Sequence, residues 1–407
     1  MPGHPTRITA LDALRGVGVL GILPVHIQSF SMVMAARVNP AISGDLHGPN
    51  GWIWLTTALL ADGKFISIFA MLFGAGLLLL SGRGSDGPLS PDRVHYRRMA
   101  ALLGLGFFHA YLLWYGDMLV TFAFCGAVVF GYRELAPRRL LARGAAALAC
   151  ASAIALGMGW SLPWWPADMK ARFVQLWAPS PEMIDWEIAV YRAGWLGQMA
   201  HRVPEAFQIE TSQFVLRGFW QATGLMLVGM GLFKLGILSA TRSARFYIAM
   251  TGLGFGLGLP LGWRGVERGA ALEWDLADFM LVRGQLSYWS DLAVGLGWIG
   301  LVMLLCRAGW RAGAVAAVGR TALSNYLFQT VICTTIFYGH GLGLFARVDR
   351  LGQLLIVLGV WTVQLAWSVW WIRHFAVGPV EWIWRAVARG EVAAVALAIG
   401  PADRGAT

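Results

Sequence analysis

Charge is scarce in this sequence. Asp, Glu, Lys and Arg make up 13% of its 407 residues, against about 25% in a soluble domain. An ordinary water-soluble globule is therefore excluded. Cysteine is scarce as well. Cys125, Cys150, Cys306 and Cys333 all fall in apolar stretches, with no CxxC pairing and no metal-ligand spacing. They read as buried, inert thiols, so neither a disulfide framework nor a metal centre is expected. A GxxxxGK[ST] phosphate loop, an HExxH zinc motif and a GxSxG nucleophile elbow are also missing. The first apolar stretch runs on without a small-residue cleavage site, so it reads as a retained span rather than a signal peptide.

What is present is apolar. Hydrophobic residues make up 57% of the chain, with 51 glycines, 21 tryptophans and a mean hydropathy of +0.59. Runs of about 20 apolar residues recur, each long enough to cross a bilayer. Hydropathy predicts an all-α, polytopic membrane helix bundle of about ten spans, near 12–34, 58–80, 99–115, 117–133, 141–162, 214–236, 246–263, 285–306, 314–338 and 352–373. The whole chain reads as one transmembrane domain. Five spans run over 12–162, an outer segment over 163–213, five more spans over 214–373 and a tail over 374–407. Gly116-Asp117 is a natural turn between the third and fourth spans, although one long bent helix fits as well.

The net charge of +10 and pI of 9.9 do not point to nucleic acid, because the arginines cluster in short loops between spans. Arg83, Arg93, Arg97 and Arg98 form one cluster, and Arg133, Arg138, Arg139 and Arg143 another. Lys234, Arg242 and Arg245, then Arg307, Arg311 and Arg320, then Arg373, Arg385 and Arg389 complete the set. All fall on one side in the ten-span reading, which predicts a multi-pass protein of a cytoplasmic membrane with both termini in the cytoplasm. The outer segment carries Trp164, Trp165, Trp177, Trp186 and Trp195. Its stretch 182–207 reads as one amphipathic helix, with Ile184, Ile188, Tyr191 and Trp195 on one side. It would lie flat in the interface or act as a substrate lid. The patterns Gly252–Gly256 and Gly254–Gly258 read as close helix packing.

Ionisable residues inside the spans mark candidate sites. Arg15 and His26 stand eleven residues apart in the first span, on one helix face and roughly 16 Å apart along the axis. Pro24 removes a backbone donor just before His26 and tends to kink the span. His109 lies within the third span and Asp117 at its end. Together they suit a base and an orienting carboxylate. On one straight helix, however, eight residues hold them roughly 12 Å apart, so each would pair with another span. Asp62 and Lys64 flank Gly63, either as an interfacial ion pair or with Lys64 on a phosphate or carboxylate. Asn325 and Gln329 share a face of the ninth span, as interhelical hydrogen bonders or as substrate contacts. Arg320, like Arg15, suits the phosphates of a cytoplasmic ligand.

Several segments resemble the YeiB-like family of bacterial multi-pass membrane proteins. They are RITALDALRGVGVLGIL at the start, GKFISIFAMLFGAGLLLL at 63–80, GFFHAYLLWYGDMLVTFAFCG at 106–126 and YRAGWLGQMAHRVPE at 191–205. GRTALSNYLFQTVICTTIFYGHGLGLF at 319–345 and FAVGPVEWIWR at 375–385 complete the match. The architecture is in turn similar to transmembrane acyltransferases, both the O-acetylating membrane enzymes with an Arg-ten residues-His signature and the lysosomal heparan glucosaminide N-acetyltransferase. Arg15 and His26 match that spacing. The resemblance implies acyl-CoA as co-substrate, its phosphates held by Arg15 and Arg320, with His26 or His109 as the base; Lys64 and Asp117, read from the spans alone, join them as a cofactor-binding and a catalytic candidate. It implies a glycan or lipid acceptor at the outer face. The family commonly has asparagine where this chain has His26. Either this chain stands nearer the O-acetylating enzymes, or His109 is the acid/base residue. A proton-coupled or small-molecule transporter is the competing class, and the oligomeric state is left open. In the acyltransferase reading Arg15, His26 and His109 border one cavity between spans one, three and nine.

Overall fold

The structure, a computed structural model, describes residues 9–42, 46–81 and 90–389. Arg83 and the tail beyond 389 lie outside the described residues. Those described form helices and connecting turns, with no strand among them. The order begins α1 (Thr9–Ser31), α2 (Met34–Val38), α3 (Gly48–Leu60), α4 (Lys64–Ser81), α5 (Pro91–Phe108), α6 (Leu119–Val129) and α7 (Pro137–Ser161). The middle holds α8 (Ala167–Trp177), α9 (Pro181–Arg192), α10 (Met199–Gln208), α11 (Phe219–Lys234), α12 (Ala244–Ala271) and α13 (Leu276–Asp278). It ends with α14 (Gly284–Arg307), α15 (Gly313–Arg320), α16 (Ala322–Phe337), α17 (Arg350–His374) and α18 (Pro379–Arg389).

Local chemistry sets the starts of several of these helices. Ser90-Pro91 and Ser180-Pro181 place a serine cap before a proline, and each serine accepts from the backbone N–H three residues on. Ser243 and Asp349 cap α12 and α17 in the same way. Among the described residues, six helical stretches are long and apolar enough to cross a membrane. They are Thr9–Ser31, Gly48–Leu79, Pro137–Trp164, Ala244–Ala271, Leu276–Arg307 and Arg350–His374. Two shorter apolar helices, Leu119–Tyr132 and Ala322–Phe337, accompany them.

Cross-connections sort the loops into two ends. At one end Lys234 donates to the carbonyls of Arg133 and Leu135, Trp384 to that of Arg98, and Arg320 to that of Ala376. This is the arginine-rich end. At the other, Asn39 bonds the Trp177 carbonyl, Asn50 bonds Asp349, and the Ala346 N–H reaches the Ser31 carbonyl.

Small residues allow the closest crossings. A side chain at Gly16 would strike the Val315 backbone, and one at Gly319 would strike the backbone of Asp12, so α1 and α15 touch main chain to main chain. On α12, Gly254 and Gly258 press against Gly297 and Val294 of α14. Gly252 and Gly256 face open space instead. Only one of the two glycine patterns is therefore a packing seam, because the pairs stand about 200° apart around the helix.

Three breaks depart from simple spans. The α3–α4 stretch turns at Gly63, whose φ of 74° suits glycine. The α5–α6 hairpin has a π-helical turn at His109–Leu113, and from there the chain runs irregularly to Met118. The stretch 182–207 is not one helix. It forms α9 and α10, separated by the bend at 193–198.

Candidate functional site

The tip of the α5–α6 hairpin is non-helical backbone deep inside the bundle. Irregular backbone buried in protein needs partners for its polar groups. Here α9 and α10 cover it. Trp195 Nε1 and Arg202 both donate to the Leu112 carbonyl, at 2.9 and 2.8 Å. Arg202 also donates to Gln198, whose own amide lies 3.2 Å from His340. Glu187 accepts from the Met34 N–H at 2.9 Å, and Tyr191 bonds His201 at 3.0 Å.

Under this cover the chain folds back on itself. His109 and Asp117 are bonded directly, Nδ1 to Oδ1 at 2.8 Å. The straight-helix separation does not hold, because the π turn and the irregular residues after it reverse the chain between them. The second oxygen of Asp117 accepts from the Val120 N–H at 2.7 Å, fixing the carboxylate at the start of α6. The other ring nitrogen of His109, Nε2, lies 2.9 Å from the Thr330 hydroxyl on α16. His109 is fully buried and Thr330 is 1% exposed. A carboxylate, an imidazole and a hydroxyl thus stand in line. With Asp117 ionised, Nδ1 carries the proton and Nε2 is the acceptor that faces the hydroxyl.

Aromatic rings join this line to His26. The His26 ring is 4.9 Å from that of Trp114 and 6.3 Å from that of Tyr326, and Tyr326 lies 5.0 Å from His109. The structure brings His26 and His109 into one cluster. Two polar atoms there are unsatisfied among the described residues. Trp114 Nε1 has no hydrogen-bond partner, and the Tyr326 hydroxyl faces the Met118 backbone without a well-formed bond. Buried donors without partners are uncommon and call for an explanation such as a ligand or a water.

The other candidates lie apart from this cluster. Arg15 sits three turns before His26, within 3.3 Å of Asp12. Arg320 ends α15 at the same, arginine-rich end. Lys64 is 3% exposed and pairs with Asp291 of α14 at 2.7 Å, while also donating to the Ala58 carbonyl. Its partner is thus not Asp62, which stands 3.9 Å from Arg37. The turn at Gly63 leaves no room for a side chain beside the Asp291 carboxylate, so the break in the span is what admits the pair. Asn325 and Gln329 turn away from His109. Gln329 donates to Val19 and Gln364, Gln364 to Asn325, and Asn325 to Ser368 and Thr321. This closed amide ladder joins α1, α16 and α17.

A cavity of about 480 Å³ lies between Trp160, Trp164, Lys170 and Leu281, and one of about 20 Å³ beside Pro24 and Arg350. Neither is lined by Arg15, His26 or His109. His26, His109, Trp114 and Tyr326 are all buried.

Sequence reasoning did not single out Thr330, Tyr326, Trp114, Glu187, His201 or Asp291. Asp291 had a readable signal, as a lone acid in the apolar run LSYWSDLAVGLG. Tyr326 and Thr330 are four apart, one step round the helix from the pair that was noticed.

Glu187 gives a pH handle on the cover. Burial pushes its carboxyl up to about 7; the Met34 N–H opposes this and Glu205 adds to it. The docked form therefore holds the proton more tightly than an exposed carboxyl does. That contribution is full below about pH 4.5, the ordinary value, and is lost as pH rises through about 7. Amide protection across 181–192 should be higher at acid than at alkaline pH after correction for intrinsic exchange. Equal protection at both would contradict this.

The comparisons with known proteins bear on the whole chain. A family model described as a protein of unknown function (DUF418) matches residues 232–391. The uncharacterized protein YeiB of Escherichia coli K12 is 32% identical, over 93% of this chain and 95% of its own length. The uncharacterized protein YxaH of Bacillus subtilis 168 is 27% identical, over 93% of each chain. An uncharacterized 39.9 kDa protein in an amylase 3′ region of Bacillus acidopullulyticus is 24% identical over the same share of each. No solved structure matches. On the strength of its likeness to YeiB along nearly its full length, the chain belongs to the YeiB-like family.

Proposed function

We propose that the chain is a membrane acyltransferase that moves an acyl group from cytoplasmic acyl-CoA to a hydroxyl or amine of an envelope glycan or lipid head group. The observation that carries this reading is His109, bracketed by the Asp117 carboxylate on Nδ1 and a hydroxyl on Nε2. A general base must reach the proton it takes within hydrogen-bond distance, and an orienting carboxylate sets its tautomer. His26 has aromatic neighbours and no such carboxylate among the bonds described. Of the two histidines, the geometry favours His109 as base, with His26 lining the same cluster.

In this reading the chain crosses the cytoplasmic membrane ten times, with the arginine-rich end in the cytoplasm. The segment from α8 to α10 lies in the outer interface. The exposed rings of Trp164 and Trp186 support that placement. Arg15 and Arg320 meet the coenzyme phosphates at the cytoplasmic end. Lys64, held by Asp291, takes a structural part. The unsatisfied donors of Trp114 and Tyr326 suit an acyl carbonyl oxygen, as donors aimed at developing charge do.

The Lys64–Asp291 pair favours a second reading, proton-coupled transport, since intramembrane ion pairs also mark proton paths. Coenzyme A binding separates the two. Coenzyme A should raise the melting temperature of the purified protein, and Arg15→Ala should weaken that rise. Absence of any rise at millimolar coenzyme A would favour the transporter.

A further inference from the structure

We propose that Thr330 is a nucleophile that carries the acyl group as an ester between donor and acceptor. This rests on the acyltransferase reading and adds a covalent step to it.

The argument starts from the hydroxyl's single proton. Thr330 Oγ1 has two acceptors in reach, the Tyr326 carbonyl at 3.4 Å and His109 Nε2 at 2.9 Å. A helical threonine ordinarily donates back to the carbonyl one turn earlier. Here that bond is the long one, and the short one runs to the imidazole. With Asp117 ionised and the ring neutral, Nδ1 carries the ring proton and Nε2 is the acceptor. The hydroxyl is therefore aimed at the base, which is the relation of a nucleophile to its activating histidine.

Position adds a second argument. Tyr326 stands one helical turn before Thr330, and the Trp114 and His109 ring centroids are 6.2 Å apart. Trp114 Nε1 has no hydrogen-bond partner among the described residues, and the Tyr326 hydroxyl meets only the Met118 backbone, without a well-formed bond. Nucleophile, base, orienting carboxylate and spare donors are the parts an acyl-transfer centre requires.

The step balances without any further reagent. Thr330 Oγ1 attacks the thioester carbonyl while its proton passes to His109 Nε2. The carbon–sulfur bond breaks, the thiolate takes that proton, and free coenzyme A leaves. The acyl group remains on Thr330 as an ester. An acceptor hydroxyl then gives its proton to Nε2 and attacks the ester carbonyl. The Thr330 oxygen leaves and takes the proton back.

The test uses the full chain in detergent or nanodiscs with radiolabelled acetyl-CoA and no acceptor. The wild-type protein should retain label after denaturation, in the peptide that contains Thr330, and hydroxylamine should release it. Thr330→Ser should keep labelling, and Thr330→Val should lose both the label and transfer to added membranes while melting normally. Label on another residue would overturn the proposal without touching the acyltransferase reading. So would undiminished transfer by Thr330→Val. Transfer by a wild type that takes up no label would overturn it too, whereas failure of the wild type to transfer at all would overturn the reading beneath the proposal.

Discussion

Asp117→Asn should lose acyl transfer by about 10⁴-fold while the protein remains folded, as a flipped tautomer does to a histidine base held by a carboxylate. Both effects follow from where the two oxygens of Asp117 go. One accepts from the Val120 N–H at the start of α6, and the other from His109 Nδ1. An asparagine has one carbonyl oxygen and one amide group. If the oxygen keeps the Val120 N–H, the amide must face Nδ1 and donate to it. Nδ1 then loses its proton and Nε2 gains it. A protonated Nε2 cannot accept from Thr330 or from any acceptor hydroxyl. The cap survives, so the melting temperature should shift by only a few degrees. Asp117→Ala would instead remove the cap and leave the buried ring without its partner. A comparison of the two variants in melting and in transfer measures the chemical part alone. Normal transfer by Asp117→Asn would show that the tautomer of His109 is immaterial.

Gly319→Leu should disrupt the bundle strongly at the arginine-rich end. A side chain at Gly319 meets the backbone of Asp12, and one at Gly16 meets the backbone of Val315. Neither contact is with a side chain that could rotate away. Overpacking of a tight core costs about 1–3 kcal/mol and sometimes more. With main chain on both sides, the upper end or beyond is expected, because α1 and α15 must separate. Arg15 and Arg320 are carried by these two helices, so their relative position would change as well. The variant should melt well below the wild type and show a weakened response to coenzyme A. A melting temperature equal to the wild type would mean that α15 is free to shift and that the crossing contributes little.

The parts of the fold legible in the sequence were those written in composition and local pattern. Apolar run lengths marked the six long apolar helical stretches, and the lone Arg15 and His26 marked a polar face within the first. What was not legible lay in backbone geometry and distant pairing. A straight helix separates His109 from Asp117, and only the π turn with the irregular residues after it brings them together. Gly116 signals a turn without saying that its tip is buried. Lys64 has a nearer acid in Asp62, and the choice of Asp291 is made by packing α14 against the Gly63 break. Asn325 and Gln329 carry the more conspicuous amides, yet they bond to α1 and α17. The plainer Tyr326 and Thr330, one step round the same helix, face His109. Hydrophobic periodicity cannot tell these faces apart when both are buried.

The most direct measurement is the rate at which radiolabel passes from acyl-CoA to the membrane fraction, comparing wild type with His109→Gln. Glutamine retains hydrogen-bonding capacity toward Asp117 and removes the base. The account predicts transfer by the wild type and a loss of about 10²–10⁴-fold in the variant, the range set by a positioned general base, with coenzyme A binding preserved. Equal transfer by the two proteins would contradict it.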